Sequence, residues 1–328
     1  MTRDTIPMSP QVRERLPALG ISIEKVAVRA GLAPSLRDEL TTDEYFAFWR
    51  ALARESDRPD LGLAIGAQAS IGASSISSVA ALQAPTFGDA LRTVARYKRL
   101  CCPEVVDIEV TGGEARVRCH WLFAREEVPP LLVDGLFASF ASLAKRGSGG
   151  QVAPIRVELA RRSRHAQLLR AHFGCPIVFG ATADRIVFAE RTLAVPFITS
   201  SAEAFAQIVP RLEAELVARR RNRTLVDDAR LAIARTISAG MRPSIDEVAR
   251  RLRISARTLQ RRLGEADTTF QAELDDVRRV SARRLLAQTE LQPTDIAFLL
   301  GFEEPNSFAR AFRTWERTTP LRWRAART

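Results

Sequence analysis

Ser255 is followed by Arg257, Gln260 and Arg261, while Leu259 and Leu263 recur four residues apart. On a helix of about 3.6 residues per turn the two leucines share one face, and the three polar side chains fall on the other. Arg and Gln can grip guanine O6/N7 and adenine N6/N7 bidentately, so these types at these positions suit direct reading of base edges. Ser255 fits the N-cap, its hydroxyl available to an orphan backbone N–H. Upstream, Ser244 to Leu252 forms a short amphipathic helix, and Arg253-Ile254 forms the turn into Ser255. A helix, a tight turn and a second helix with a polar outer face can place one helix in a DNA major groove.

The pattern occurs again from Thr294. Asp295-Ile296-Ala297-Phe298-Leu299-Leu300 is the first helix, Gly301-Phe302 the turn, and Asn306 to Phe312 the second helix. Phe308 and Phe312 point inward, leaving Asn306, Ser307 and Arg310 outward, and Pro305 suits a first turn where no backbone donor is missed. Between the units a helix runs from about Phe270 to Gln288, whose roughly 18 residues make a strut of about 27 Å. Such a strut can hold two reading helices about one DNA turn, roughly 34 Å, apart. Its Arg278-Arg279 and Arg283-Arg284 pairs have two readings, phosphate contacts or a solvated face paired with Asp275 and Asp276.

The rest of the chain must carry and control these helices. With 328 residues, 46% hydrophobic and 27% charged, it is long enough for two domains with separate cores. No stretch approaches the roughly 20 apolar residues of a spanning helix, and the charged N-terminus lacks the apolar core of a signal peptide, so a cytoplasmic location is expected. Net charge is +11; residues 222–328 hold 20 arginines against 14 acidic residues, so the excess is denser there. That charge permits nucleic-acid binding without proving it. The four cysteines (Cys101, Cys102, Cys119, Cys175) and three histidines (His120, His165, His172) show no metal-ligand spacing, so neither a metal nor a cofactor is expected. Cys101-Cys102 reads as a redox sensor or as buried small hydrophobes.

Residues 11–54 are predicted mainly helical, with Tyr45, Phe46, Trp49 and Leu52 along one side of a helix begun by Thr42-Asp43-Glu44. After Leu61-Gly62-Leu63 comes a small-residue stretch, Gly66 to Ser78, then a helix after Thr86 reaching Leu100. From Val105 the period becomes two. Val106, Ile108 and Val110 alternate with acidic residues, Gly112-Gly113 turns the chain, and Ala115, Val117, Cys119 and Trp121 alternate with Arg116, Arg118 and His120, predicting a hairpin with one apolar face. A helix from Leu131 to Lys145, a strand at Ile155–Leu159, a helix at His165–Phe173 and strands near Ile177–Val178 and Arg185–Phe188 follow. The expectation is an α+β sensor or dimerisation domain over residues 1–221, closed by a linker helix at 201–221 that ends in Arg219-Arg220-Arg221. An all-α domain with two helix-turn-helix units follows at 222–328.

A small-molecule site needs an apolar shell and a few convergent polar groups. Arg96, Tyr97 and Arg99 before the hairpin, and His120 and Trp121 on its second strand, are the candidates; an arginine would anchor a carboxylate. Each is also readable as a surface cation or packing residue, and the alternation places His120 on the exposed face. No G-x-G-x-x-G, P-loop, H-E-x-x-H or G-x-S-x-G pattern is present, so no enzyme is expected.

The stretch from Ile245 to Arg324 resembles the DNA-binding domain of the AraC/XylS family of bacterial transcription regulators. The residues that carry the likeness are Leu259-Gln260-Arg261, Asp295-Ile296-Ala297, Gly301-Phe302, Ser307 to Phe312, and Thr319-Pro320-Leu321-Arg322-Trp323-Arg324. Arg262, Gly264 and Glu316-Arg317-Thr318-Thr319, where a glycine is often found, depart from the pattern. By this resemblance Arg257, Gln260 and Arg261, with Asn306, Ser307 and Arg310, match base-facing positions. The N-terminal part resembles the arabinose-binding-type regulatory domain of one branch, through Ala30-Gly31-Leu32, Asp60-Leu61-Gly62-Leu63, Ala90-Leu91 to Leu100, and Phe173-Gly174-Cys175-Pro176-Ile177. The likeness implies a homodimeric regulator of promoter DNA, an activator meeting RNA polymerase under control of a small-molecule effector. Two alternatives stand beside it: an N-terminal domain that is only an oligomerisation scaffold, and an enzyme with a DNA-targeting tail.

Overall fold

A computed structural model describes residues 4–8, 10–68, 76–124, 126–220 and 224–326. Parts of two sequence features, the small-residue stretch at 69–75 and the basic linker at 221–223, lie outside the described residues.

The N-terminal layer is helical, as its periodicity requires, with one addition. A two-residue strand β1 (Ile6–Pro7) precedes α1 (Pro10–Ala18) and α2 (Ile23–Arg29), and pairs antiparallel with β2 (Glu39–Leu40). Then comes α3 (Thr42–Glu55), begun by a capping box in which Thr41 and Glu44 satisfy each other's backbone N–H groups. Phe46, Phe48, Trp49 and Leu52 of α3 are buried with Leu16, Val26 and Leu61 in one cluster.

Small residues explain the next contact. In α4 (Leu61–Gln68) a Cβ added to Gly66 would lie 1.9 Å from the Gly135 carbonyl oxygen, and one on Gly62 would lie 2.3 Å from that of Leu131. Only hydrogen fits there, so α4 crosses α7 (Pro130–Gly147) backbone to backbone.

Between them run α5 (Ile76–Leu82) and α6 (Phe87–Tyr97), the latter capped by Thr86 and continued by a 3-10 turn, Lys98–Leu100. The hairpin of β3 (Glu104–Thr111) and β4 (Glu114–Trp121) follows, with Val106 opposite Cys119 and Ile108 opposite Val117. After α7 come β5 (Arg156–Leu159), α8 (Ala166–Phe173), β6 (Ile177–Phe179) and β7 (Arg185–Ala189). The five strands lie in the order β3-β4-β7-β5-β6, antiparallel except for β5-β6. Val106, Val117, Val157, Ile186 and Phe188 from the sheet pack with Phe87 and Leu91 of α6 and Phe137 and Phe140 of α7. The helix α9 (Ala202–Arg220) lies against the same half, Leu212 and Leu216 packing on Ala80, Tyr97 and Leu100.

Among the described residues, seven helices form the C-terminal half: α10 (Leu225–Ser238), α11 (Ile245–Arg251), α12 (Ala256–Gly264), α13 (Phe270–Gln288), α14 (Pro293–Leu299), α15 (Pro305–Glu316) and α16 (Pro320–Ala325). Ile233 of α10, Val248 of α11, Leu259 and Leu263 of α12, Leu274 and Leu286 of α13, Ile296 of α14, Phe308 and Phe312 of α15 and Trp323 of α16 share one core. Both helix-turn-helix units are therefore fixed to the same central helix. Among the described residues, no helix is long and apolar enough to cross a membrane.

Candidate nucleic-acid interface and sensor cavities

Each reading helix is set by a cap at one end and an apolar stripe below. At α12 the Ser255 hydroxyl accepts the Thr258 N–H at 3.1 Å. Leu259 and Leu263 are completely buried, which turns Arg257, Gln260 and Arg261 to solvent. Arg261 pairs with Glu265 one turn on. At α15 Pro305 occupies the first turn with no side-chain cap, and Phe308 and Phe312 pack edge to face inside. Asn306 and Arg310 are exposed and Ser307 half-buried, with its Oγ 3.5 Å from an Arg310 nitrogen. The six residues singled out for base reading thus occupy the outer N-terminal faces of two helices braced by one core, five of them bearing two or more hydrogen-bonding groups suited to base edges.

The arginine pairs of α13 do not pair with Asp275 and Asp276; each meets another group of the protein. Arg278 is buried: Nε donates to the Leu300 carbonyl at 2.9 Å, a terminal nitrogen to that of Gly301 at 2.7 Å, and the guanidinium lies 4.0 Å from the centre of the Phe302 ring. It thereby closes the C-terminal end of α14 and fixes the turn of the second unit. Arg279 bonds Glu316 at 2.6 Å, Arg283 lies over Trp323, and Arg284 donates to the Thr182 carbonyl of the N-terminal half. Periodicity marks these arginines as polar, but only the packing of α14 to α16, and for Arg284 of the N-terminal half, shows which partners they meet.

The hairpin's polar face also departs from expectation. His120, predicted on an exposed face, has a side chain only 14% exposed, and its Nε2 lies 3.0 Å from Asp107 Oδ2. Arg235 of α10 donates to the same Asp107 oxygen at 3.1 Å, and Arg118 to the Ser238 carbonyl at 3.2 Å. Val105 and Leu122 cover Leu231 of α10 beside them. The face alternates as predicted, but it meets the C-terminal half instead of water. Burial opposes ionisation of Asp107, yet the adjacent His120 and Arg235 bring its carboxyl down to about 2. Burial holds His120 below the ordinary imidazole value against the pull of Asp107.

Two cavities flank this junction. The larger, about 550 Å³, lies between the halves, lined by His120, Trp121 and Glu126 on one side and Arg230, Arg283 and Arg284 on the other. The smaller, about 300 Å³, lies inside the N-terminal half and is lined by Trp49, Lys98, Glu104 and Trp121 among others. Of the five effector candidates, Trp121 borders both cavities and His120 the larger. Arg96, Tyr97 and Arg99 border neither: Arg96 and the Tyr97 hydroxyl bond Glu213 of α9, and Arg99 is half-buried on the 3-10 turn. Sequence reasoning passed over Lys98 and Glu104, which periodicity reads as ordinary polar positions. It also passed over Trp49, which it assigned to a core stripe. Among the described residues, no cluster of three or more His, Cys, Asp or Glu residues could hold a metal.

This architecture has known counterparts. The family described as the arabinose-binding domain of AraC transcription regulators, N-terminal, matches residues 20–197, and a helix-turn-helix domain family matches 248–326. The chain is 29% identical to the ornithine utilization regulator of Pseudomonas aeruginosa over 271 residues, covering 82% of this chain and 79% of that one. It is also 29% identical to the HTH-type transcriptional regulator VirS of Mycobacterium tuberculosis over 283 residues, 84% of this chain and 81% of that one. The crystal structure of the transcriptional regulator CdpR from Pseudomonas aeruginosa aligns over 96% of both chains at 19% identity, with a TM-score of 0.47. A regulatory domain of one type joined to a DNA-reading domain of the other, matched over most of its length, makes this chain a member of the AraC family of transcription regulators.

Proposed function

We propose that this regulator reads promoter DNA with Arg257, Gln260 and Arg261 of α12 and with Asn306, Ser307 and Arg310 of α15, and that a small molecule bound in the N-terminal half controls it. One observation carries the reading: both helices leave their polar N-terminal faces free of protein while their apolar faces share a core built on α13. A duplex with one protein axis along it would then be met in two successive major grooves. We divide the chain at residues 221 and 222, because α9 packs on the N-terminal half while α10 contributes Ile233 to the C-terminal core.

Effector control is supported by two cavities beside the junction where Asp107 and His120 meet Arg235. A ligand that binds one docking geometry better shifts the population of DNA-competent chains. The ornithine utilization regulator, by its name, serves the use of a small metabolite, which favours sensing over an N-terminal half that is only a scaffold. We read the chain as a cytoplasmic homodimeric activator that contacts RNA polymerase and catalyses no reaction, in keeping with its family. Footprinting of the full chain on the DNA upstream of its own and neighbouring genes tests the proposal. Protection of a preferred sequence over two adjacent major grooves is the expected result, and coverage of a single groove's width, or no sequence preference, refutes it.

A further inference from the structure

The smaller cavity carries an inference about what the protein senses, and it rests on the effector-controlled reading above. Its walls include Tyr45, Ile65, Trp121, Leu132, Phe140 and Leu143, an aromatic and aliphatic shell. Two polar atoms in its lining make no hydrogen bond of normal geometry: Nε1 of Trp49, a residue 3% exposed with the Tyr45 side chain beside it, and Oε1 of Glu104, a residue 1% exposed with Cys119 nearby. Buried donors and acceptors are almost always satisfied in folded proteins, so an orphaned donor and acceptor in one cavity wall call for an occupant. The other Glu104 oxygen is taken, lying 3.2 Å from Lys98 Nζ and 3.5 Å from Cys102 Sγ. Arg15 also borders the space, but its guanidinium is engaged by the Ile65 and Gln68 carbonyls at the C-terminal end of α4.

Lys98 and Glu104 balance each other in the buried part of the lining, while the Arg15 charge lies partly exposed against the carbonyl end of α4, so a ligand with net charge would bring an uncompensated ion against the apolar wall. We propose that this cavity binds a net-neutral small molecule of amino-acid type, its ammonium on Glu104 Oε1, its carboxylate on Trp49 Nε1 and Lys98, and an apolar side chain against the aromatic wall. The position explains how occupancy reaches the DNA-reading half. Glu104 and Trp121 are opposite each other in the β3–β4 register. Their neighbours Val105 and Leu122 cover Leu231 of α10, and Asp107, three residues along β3, holds Arg235. Ligand contacts that draw Glu104 and Trp121 together act on the end of the hairpin that docks α10, so binding and docking are linked.

The test uses the full chain with L-phenylalanine and L-leucine as zwitterionic probes, and with 3-phenylpropionate and phenethylamine, each lacking one charged head. Thermal shift and titration calorimetry are expected to show binding of at least one zwitterion. Each single-headed analogue should bind about tenfold or more weakly, and Glu104→Gln and Trp49→Phe should each weaken the zwitterion by about tenfold or more. Trp49→Phe keeps an aromatic side chain while removing the N–H donor together with one of the two fused rings, and circular dichroism of each variant checks that it is folded. The proposal is overturned if neither zwitterion binds, if a single-headed analogue binds as well, or if both variants bind unchanged. A different metabolite that raises the melting temperature of wild type and of both variants alike would leave sensing intact and remove it from this cavity. Failure of the wild type to protect a preferred DNA sequence either with or without a bound metabolite would instead count against the regulator reading itself.

Discussion

Replacing Arg278 by alanine separates a structural arginine from a phosphate-binding one. The side chain makes two hydrogen bonds to the carbonyls of Leu300 and Gly301, at 2.9 and 2.7 Å, and stacks on Phe302. Hydrogen bonds from a charged donor are worth about 1.5–3 kcal/mol each, and a desolvated cation–π contact adds about 1–2 kcal/mol. Burying the guanidinium costs part of that, as the downward pull of burial on its ionisation indicates. A net loss of about 3 kcal/mol remains, felt first at the end of α14 and the turn into α15. Hydrogen exchange followed by mass spectrometry on the free protein reads this directly. Protection of the α14 and α15 amides should fall about 150-fold, the equivalent of 3 kcal/mol. Unchanged protection without DNA, together with a binding affinity that falls by one fewer power of salt, would refute the reasoning and return Arg278 to the phosphate backbone.

Four further outcomes are expected. Arg261→Ala should weaken specific DNA binding by about 1–3 kcal/mol and relax preference at one base position, measured by binding to a set of single-base operator variants; an equal loss on all sequences would reassign it to phosphate. Gly66→Ala should destabilise the N-terminal half by about 3 kcal/mol or more, because the new methyl carbon would sit 1.9 Å from the Gly135 carbonyl oxygen, and urea unfolding measures the cost. Arg317 caps α15 in the left-handed region at φ 57, so Arg317→Gly should raise stability by about 1 kcal/mol in the same measurement. Asp107, with its carboxyl held at about 2, lies below the usual carboxylate value near 3.9 of an unfolded chain. Its contribution, at most about 2 kcal/mol, is complete above about pH 4 and is lost as pH falls toward 2. Asp107→Asn should flatten the acid-unfolding curve in that window.

Local pattern carried much of this structure. The hairpin turns at Gly112-Gly113 with the expected alternation, and the central strut runs from Phe270 to Gln288 as its periodicity predicts. The helix expected at Leu131–Lys145 is longer by three residues, from Pro130 to Gly147; proline suits the first position, and a buried contact with Phe197 requires glycine at the last. The β1–β2 pair was not legible, since two residues are too short to show a period. Nor was the order of the sheet, in which β7 comes between β4 and β5 although it follows both in the chain.

The sequence by itself determined that Arg257, Gln260, Arg261, Asn306, Ser307 and Arg310 would stand opposite apolar stripes. A helical period ties each side chain to its neighbours three and four residues away, and that relation survives any tertiary arrangement. Tertiary structure alone decided that Arg278 would close a turn 22 residues away, that His120 and Asp107 would meet Arg235, and that Trp49, Lys98, Glu104 and Trp121 would line one cavity. Those contacts join residues far apart in the chain, and their partners are chosen by which faces the packed helices and sheet bring together, an outcome that no local spacing encodes.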